Sequence, residues 1–127
     1  MAIFTHVSLG SNDLAKSKQF YDAVLAPLGV KYLAPMGDNA YLYGKDAPEL
    51  LVTKPRNGDP ACHANGGTVG FSAESREAVD RFHQAALANG GSCEGEPGPR
   101  AFTPTAYGAY VRDPDGNKLC AYSFVPA

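Results

Sequence analysis

The chain has 127 residues, 44% hydrophobic and 19% charged, with a formal net charge of −2. That length suffices for one domain with a real core. A slightly acidic chain without a basic run excludes a nucleic-acid partner, and no apolar run reaches the roughly 18 residues a bilayer span requires.

The first stretch, Ile3 to Leu9, is rich in β-branched and aromatic residues and is expected to be a strand. Ser11 or Asn12 offers a helix N-cap, with Asp13 in the first turn. Leu14, Ser17, Phe20, Tyr21, Val24, Leu25 and Leu28 then recur at three- and four-residue spacing, the mark of an amphipathic helix. Pro27 and Gly29 close it. Three strands follow, at Val30–Ala34, Ala40–Tyr43 and Glu49–Thr53. Lys54 to Gly67 is rich in Pro, Gly and Asn and reads as a linker, of a length uncommon inside a compact domain unless it is functional or joins two units.

The pattern then restarts. Thr68–Ala73 is a strand, and a helix opens at Ser75 with Val79, Phe82, Ala86 and Leu87 on its inner face. Ser92–Gly95 is a short strand, Glu96–Pro104 a loop, and Tyr107–Arg112 with Leu119–Phe124 a closing pair. A shift of 62 residues lays Val7 on Val69, Leu9 on Phe71 and Phe20 on Phe82; a shift of 69 lays Ala40-Tyr41-Leu42 on Ala109-Tyr110-Val111 and Leu50 on Leu119. The chain therefore reads as a duplicated strand–helix–three-strand module.

Between the last two strands stands Asp113-Pro114-Asp115-Gly116-Asn117. Proline fixes φ, glycine accepts φ > 0 and the Asx side chains bond their own backbone, so this is a hairpin turn. The run Val111-Arg112-Asp113-Pro114-Asp115-Gly116-Asn117-Lys118-Leu119 resembles the closing hairpin of the vicinal oxygen chelate superfamily, which contains glyoxalase I, bleomycin-resistance proteins and extradiol dioxygenases. The resemblance covers the whole chain. It implies an α+β fold of two βαβββ modules, residues 1–53 and 68–127 joined by 54–67, forming a curved eight-stranded cup with the helices outside, and it implies a homodimer. Whether the modules pair within one chain or across the dimer stays open.

In metal-dependent members four inward side chains, from the first and last strands of each module, hold a divalent ion. The corresponding places here are His6, Leu51, Thr68 and Cys120. Leucine donates nothing, threonine donates poorly, and cysteine stands where the family usually has glutamate, so the expectation is a degenerate site and no cofactor. A slip of two residues, which keeps the same face of the strand, would instead give a three-ligand set of His6, Glu49 and Cys120. A Cys120–His6 pair would be an activated thiolate, against the plainer reading of an inert buried thiol.

Tyr41, Tyr43, Tyr107, Tyr110 and Tyr122 gather on the strands, either as cross-strand pairs or as pocket walls with polar tips. Arg100 and Arg112 could grip an anion, or brace the turn; His63 and His83 are expected in solvent. The ligand-binding candidates are His6, Tyr41, Tyr43, Tyr110, Arg112 and Cys120, with no catalytic residue assigned. The reading that follows is a protein binding a small organic or aromatic molecule. A metal-dependent glyoxalase-like lyase or isomerase is the alternative. An extradiol dioxygenase comes third, because it needs two histidines and a carboxylate and only His6 is in place. Three sparse cysteines without metal spacing, and no evident signal peptide, fit the cytoplasm.

Overall fold

In the computed structural model, which describes residues 3–126, helix α1 (Leu14–Leu25) begins at Asp13 rather than Ser11 or Asn12. The Asp13 carboxylate accepts from the Lys16 N–H at 3.1 Å and so satisfies one of the helix's orphan donors. Its buried stripe is Leu14, Ser17, Phe20, Tyr21, Val24 and Leu25, as the spacing predicts. A 3-10 turn carries the chain on to Gly29, whose φ of 75° lies in the left-handed region glycine tolerates. Helix α2 (Arg76–Ala88) is capped by Ser75, whose hydroxyl accepts from Ala78 N–H at 3.0 Å. Two details of α2 differ from expectation: Leu87 is exposed, and His83 is buried at 4% exposure among the helix's inward residues.

The strands form two four-stranded sheets of identical topology. The first has the order β1 (Val7–Gly10), β4 (Leu50–Thr53), β3 (Ala40–Gly44), β2 (Lys31–Met36). The second has β5 (Val69–Ser72), β8 (Lys118–Ser123), β7 (Tyr107–Arg112), β6 (Ser92–Pro99). The first strand runs parallel to the last in both modules, and the remaining pairs are antiparallel. The strands begin a little later than the composition suggests, at Val7 and Val69. The region expected to become a loop at Glu96 continues as strand to Pro99. β6 lies at a sheet edge, where Pro97 and Pro99 need not donate to a ladder on both sides.

The repeat is present in the register. Val7 pairs with Leu50 as Val69 pairs with Leu119, and Ser8 pairs with Leu51 as Gly70 pairs with Cys120. One strand departs from the expected alignment. Tyr41 pairs with Val52, but its counterpart opposite Ala121 is Ala109, so the true shift for β7 is 68 rather than 69. A one-residue slip moves every side chain to the other face. Tyr110 therefore corresponds to Leu42, not to Tyr41.

Both helices and the helix-facing sides of both sheets make one core. It joins Phe20, Tyr21, Val24 and Leu25 to Val79, Phe82 and Ala86, with Leu50 and Val52 from one sheet and Val111, Leu119 and Ala121 from the other. Burying each large side chain is worth about 1.5–3 kcal/mol. With the helices inside this shared core, the second face of each sheet is left open, and the sheets do not close into a barrel.

Candidate functional site

The Asp113–Asn117 turn serves first as a clasp. The Asp113 carboxylate, 4% exposed, accepts from the backbone N–H groups of Asp115 and Asn117, both at 2.9 Å, on one oxygen. Its other oxygen accepts from the Asn117 side-chain amide at 2.9 Å and from the Tyr21 hydroxyl. Burial, then the neighbouring Asp113 charge, pushes the Tyr21 hydroxyl well above the usual phenol range. Asn117 also donates to the Gly10 carbonyl at 3.0 Å. Asp115 accepts from Asn12 N–H at 2.9 Å and from the Ser17 hydroxyl at 3.2 Å. The hairpin of the second module is thus hydrogen-bonded onto the start of α1 in the first, which fixes where β7 and β8 present their open face.

That open face carries Tyr110, Arg112, Lys118, Cys120 and Tyr122, by the alternation of β7 and β8. Glycines face the aromatic rings. Gly95 pairs with Tyr110 and Gly108 with Tyr122, and a Cβ on Gly108 would stand 2.7 Å from the Tyr122 ring. The rings therefore lie against bare backbone, a known way of covering glycine in a strand. The two hydroxyls meet at 2.6 Å with the rings edge to face, and Phe124 stacks on Tyr122. The Lys118 ammonium stands 5.3 Å from the Tyr110 ring centroid, and makes no salt bridge among the described residues. The arginines are engaged. Arg112 donates to Glu94 and to the Gly116 carbonyl, both at 2.9 Å, and Arg100 donates to the carbonyls of Glu96, Gly98 and Pro99. Arg112 thus braces the turn.

Cys120 is 5% exposed, and burial raises its thiol above the ordinary value while Lys118 pulls it down by less. It is a protonated thiol near neutral pH and, among the described residues, makes no hydrogen bond with His6, whose Nδ1 is 3.0 Å from the Thr5 hydroxyl. Thr68 precedes β5 and is exposed.

On the first sheet the open face carries Ser8, Ala40, Leu42, Leu51 and Thr53. The linker folds back over it. Asn12 and Ala61 exchange two hydrogen bonds, at 3.1 and 2.7 Å, and Lys54–Pro60 forms the far wall of a cavity of about 960 Å³ floored by Ser8, Leu51 and Thr53. A second cavity, about 360 Å³, lies between the edges of β1 and β5 and is lined by His6, Glu49, Gly70 and Phe71, among others. Tyr41 and Tyr43 stand on the opposite, helix-facing side. Tyr43 is fully buried and donates to Asp22 at 3.1 Å, though its edge reaches the smaller cavity, and Tyr41 packs on Tyr32.

The structure thus gathers Tyr110, Arg112 and Cys120 on one face and brings His6 beside Glu49 on the other module. It does not bring His6, Glu49 and Cys120 together within one chain. Among the described residues, the three-residue group of potential metal ligands is elsewhere, at His83, Cys93 and Glu96. A resident metal at the places the resemblance marks is therefore a poor fit to one chain: Leu51 has no donor atom, and His6, Glu49 and Cys120 do not come together as a ligand group among the described residues. Lys118 was not a candidate from sequence, and Tyr122 stood there only among the five strand tyrosines weighed as pocket walls. The signal for Tyr110 and Tyr122 was the glycine opposite each, which marks a close approach to backbone; Lys118, opposite Arg112, carried none.

Residues 3–121 match the family model of the Glyoxalase/Bleomycin resistance protein/Dioxygenase superfamily. A glyoxalase/bleomycin resistance protein from Albidiferax ferrireducens T118 is 48% identical with a TM-score of 0.86, over 96% of this chain and 98% of that one. A lactoylglutathione lyase from Agrobacterium tumefaciens (23% identity, TM-score 0.66, 96% and 92% of the chains) shares the fold. So does the fosfomycin resistance protein FosX from Listeria monocytogenes (14% identity, TM-score 0.68, 97% and 93%). No curated protein matches the chain.

Proposed function

This chain belongs to the glyoxalase/bleomycin resistance protein/dioxygenase superfamily, and we propose that within it the protein binds a small aromatic anion. The observation that carries this reading is the Tyr110–Tyr122 wall with Lys118, which has no salt-bridge partner among the described residues, over it. The aromatic cluster offers apolar surface, the paired hydroxyls offer hydrogen bonds, and the ammonium favours a carboxylate or phenolate on the ligand. The opposite wall is the Ser8, Leu51 and His6 side of a second copy of the chain. What supports a dimer is that each chain spends its helix-facing sheet sides on one shared core, leaving the Tyr110–Tyr122 face of the second sheet without a facing wall in the same chain and the first sheet's face covered only by the linker. The linker over the first sheet would then form part of the rim.

The alternative is a metal-dependent lyase, and one observation favours it: His6 and Glu49 line the same cavity. It requires a third donor from across the dimer. Calorimetric titration with benzoate, salicylate, phenol and bleomycin separates the readings when run beside elemental analysis. Saturable binding that Lys118→Ala and Tyr110→Ala each weaken at least tenfold, about 1.4 kcal/mol, supports the ligand-binding reading. Stoichiometric divalent metal that disappears with His6→Ala, with no binding of these probes, would replace it with the lyase.

A further inference from the structure

We propose that His83, Cys93 and Glu96 form a zinc site on the outer side of the second module, independent of the cup. The Nε2 atom of His83 lies 3.1 Å from the Cys93 Sγ and 3.9 Å from the Glu96 carboxylate, and the Cys93 Sγ lies 3.6 Å from the same carboxylate's other oxygen. In a tetrahedral zinc centre with bonds of about 2.0–2.3 Å, neighbouring donors stand about 3.3–3.6 Å apart. The His83–Cys93 and Cys93–Glu96 separations are within about 0.4 Å of that spacing, and the exposed Glu96 side chain has about 0.6 Å to close toward His83.

The backbone sets this up. In a regular strand, residues three apart face opposite sides. Cys93 pairs with Val111 and Gly95 with Tyr110, so Glu94 is an extra residue in β6. A second shift follows between Gly95 and Gly98, and along this bulged path the Glu96 carboxylate comes back to the Cys93 thiol. His83 is the rigid member: its ring is 4% exposed on the inner face of α2 and its Nε2 points out at the thiol. Cys93 and Glu96 are open to solvent, so an ion can enter and a water can complete the fourth position. A thiolate and a carboxylate neutralise a divalent charge, and the imidazole–thiolate pair selects zinc over magnesium or calcium. Binding releases the thiol proton to solvent. The site ties the edge strand β6 to α2.

The test uses cobalt(II), whose thiolate charge-transfer absorption reports a bound sulfur, on metal-stripped protein. One equivalent of cobalt should produce the band, and zinc should displace it. Cys93→Ser should abolish it. Glu96→Gln, at an exposed position that does not threaten folding, should weaken binding by at least the tenfold that even an outer-sphere partner is worth. Cys62→Ser and His6→Ala should leave the band intact, which separates this site from the cup. Zinc should also raise the melting temperature of the native chain but not of Cys93→Ser. No band in the native chain, or a band that survives Cys93→Ser or vanishes with Cys62→Ser, overturns the proposal.

Discussion

Replacing Tyr21 with phenylalanine removes one hydroxyl from the clasp and leaves the ring in place. The ring is fully buried and packs edge to face on Phe20, so no cavity opens and solvent does not enter to refill the bond. The lost bond ran to a buried carboxylate, and hydrogen bonds to charged groups contribute about 1.5–3 kcal/mol. With an unfolding entropy of about 2.1 cal/mol/K per residue, a domain of this length should lose about 6–11 °C of melting temperature. Circular dichroism melts and urea titrations measure this. The midpoint should fall with no change in the denaturant slope, because the folded surface is the same. Asp113→Asn should cost more, since an amide turned toward Tyr21 and the Asn117 side chain presents a donor to at least one other donor. Tyr21→Phe should then cost less in the Asp113→Asn background than alone. A Tyr21→Phe protein melting within about a degree of the native one, on a scale where 1 kcal/mol is several degrees, would refute the claim that the clasp holds the modules together.

Alkaline pH should destabilise the fold steeply. Tyr21 and Tyr43 are both held protonated by burial first and then by a neighbouring aspartate, so their folded pKa values exceed the unfolded one. The unfolded chain then releases protons first: the contribution is complete below pH ~10 and is lost above it at up to about 1.4 kcal/mol per pH unit for each tyrosine. Urea midpoints from pH 8 to 11 that do not fall above 10 would contradict this. Ellman's reagent at neutral pH should titrate Cys62 and Cys93 quickly, and Cys120 only after denaturation, because its thiol is buried and raised. Equal rates for all three would contradict the placement of Cys120. Gly108→Ala should displace the Tyr122 ring, which its new methyl would meet at 2.7 Å, and lower ligand affinity more than it lowers stability. Unchanged affinity would remove Tyr122 from the site.

The duplication was legible because both modules repeat the same hydrophobic period and the same glycine-marked helix ends. Its register was not legible throughout. The loop from β3 to β4 and the turn from β7 to β8 differ by one residue in effective length, and the sequence holds no sign of which strand absorbs it. The expected shift of 69 was therefore right for Leu50 and Leu119 but one residue out for Tyr110. That single residue decides which tyrosines face a ligand. His83 reads from sequence as a polar residue on a polar helix. Its burial depends on Cys93 and β6 folding over it, a tertiary fact with no local signature. β6 itself was obscured by Pro97 and Pro99, which normally argue against a strand but are tolerated at an edge. The hairpin motif was recognised for its turn chemistry, and its part in joining the modules lies in Tyr21, Asn12 and Ser17, more than ninety residues away.

Subunit complementation tests the central claim most directly. Leu51→Arg should block the first-module wall and Tyr110→Ala should strip the second, so each variant alone should lose binding of the tightest probe from the aromatic panel. Unfolded and refolded together, the two chains form mixed dimers in which one cup combines two native walls. The account predicts that calorimetry on the mixture recovers a fraction of sites with native affinity. A mixture that binds no better than either variant alone would contradict a cup built between two copies.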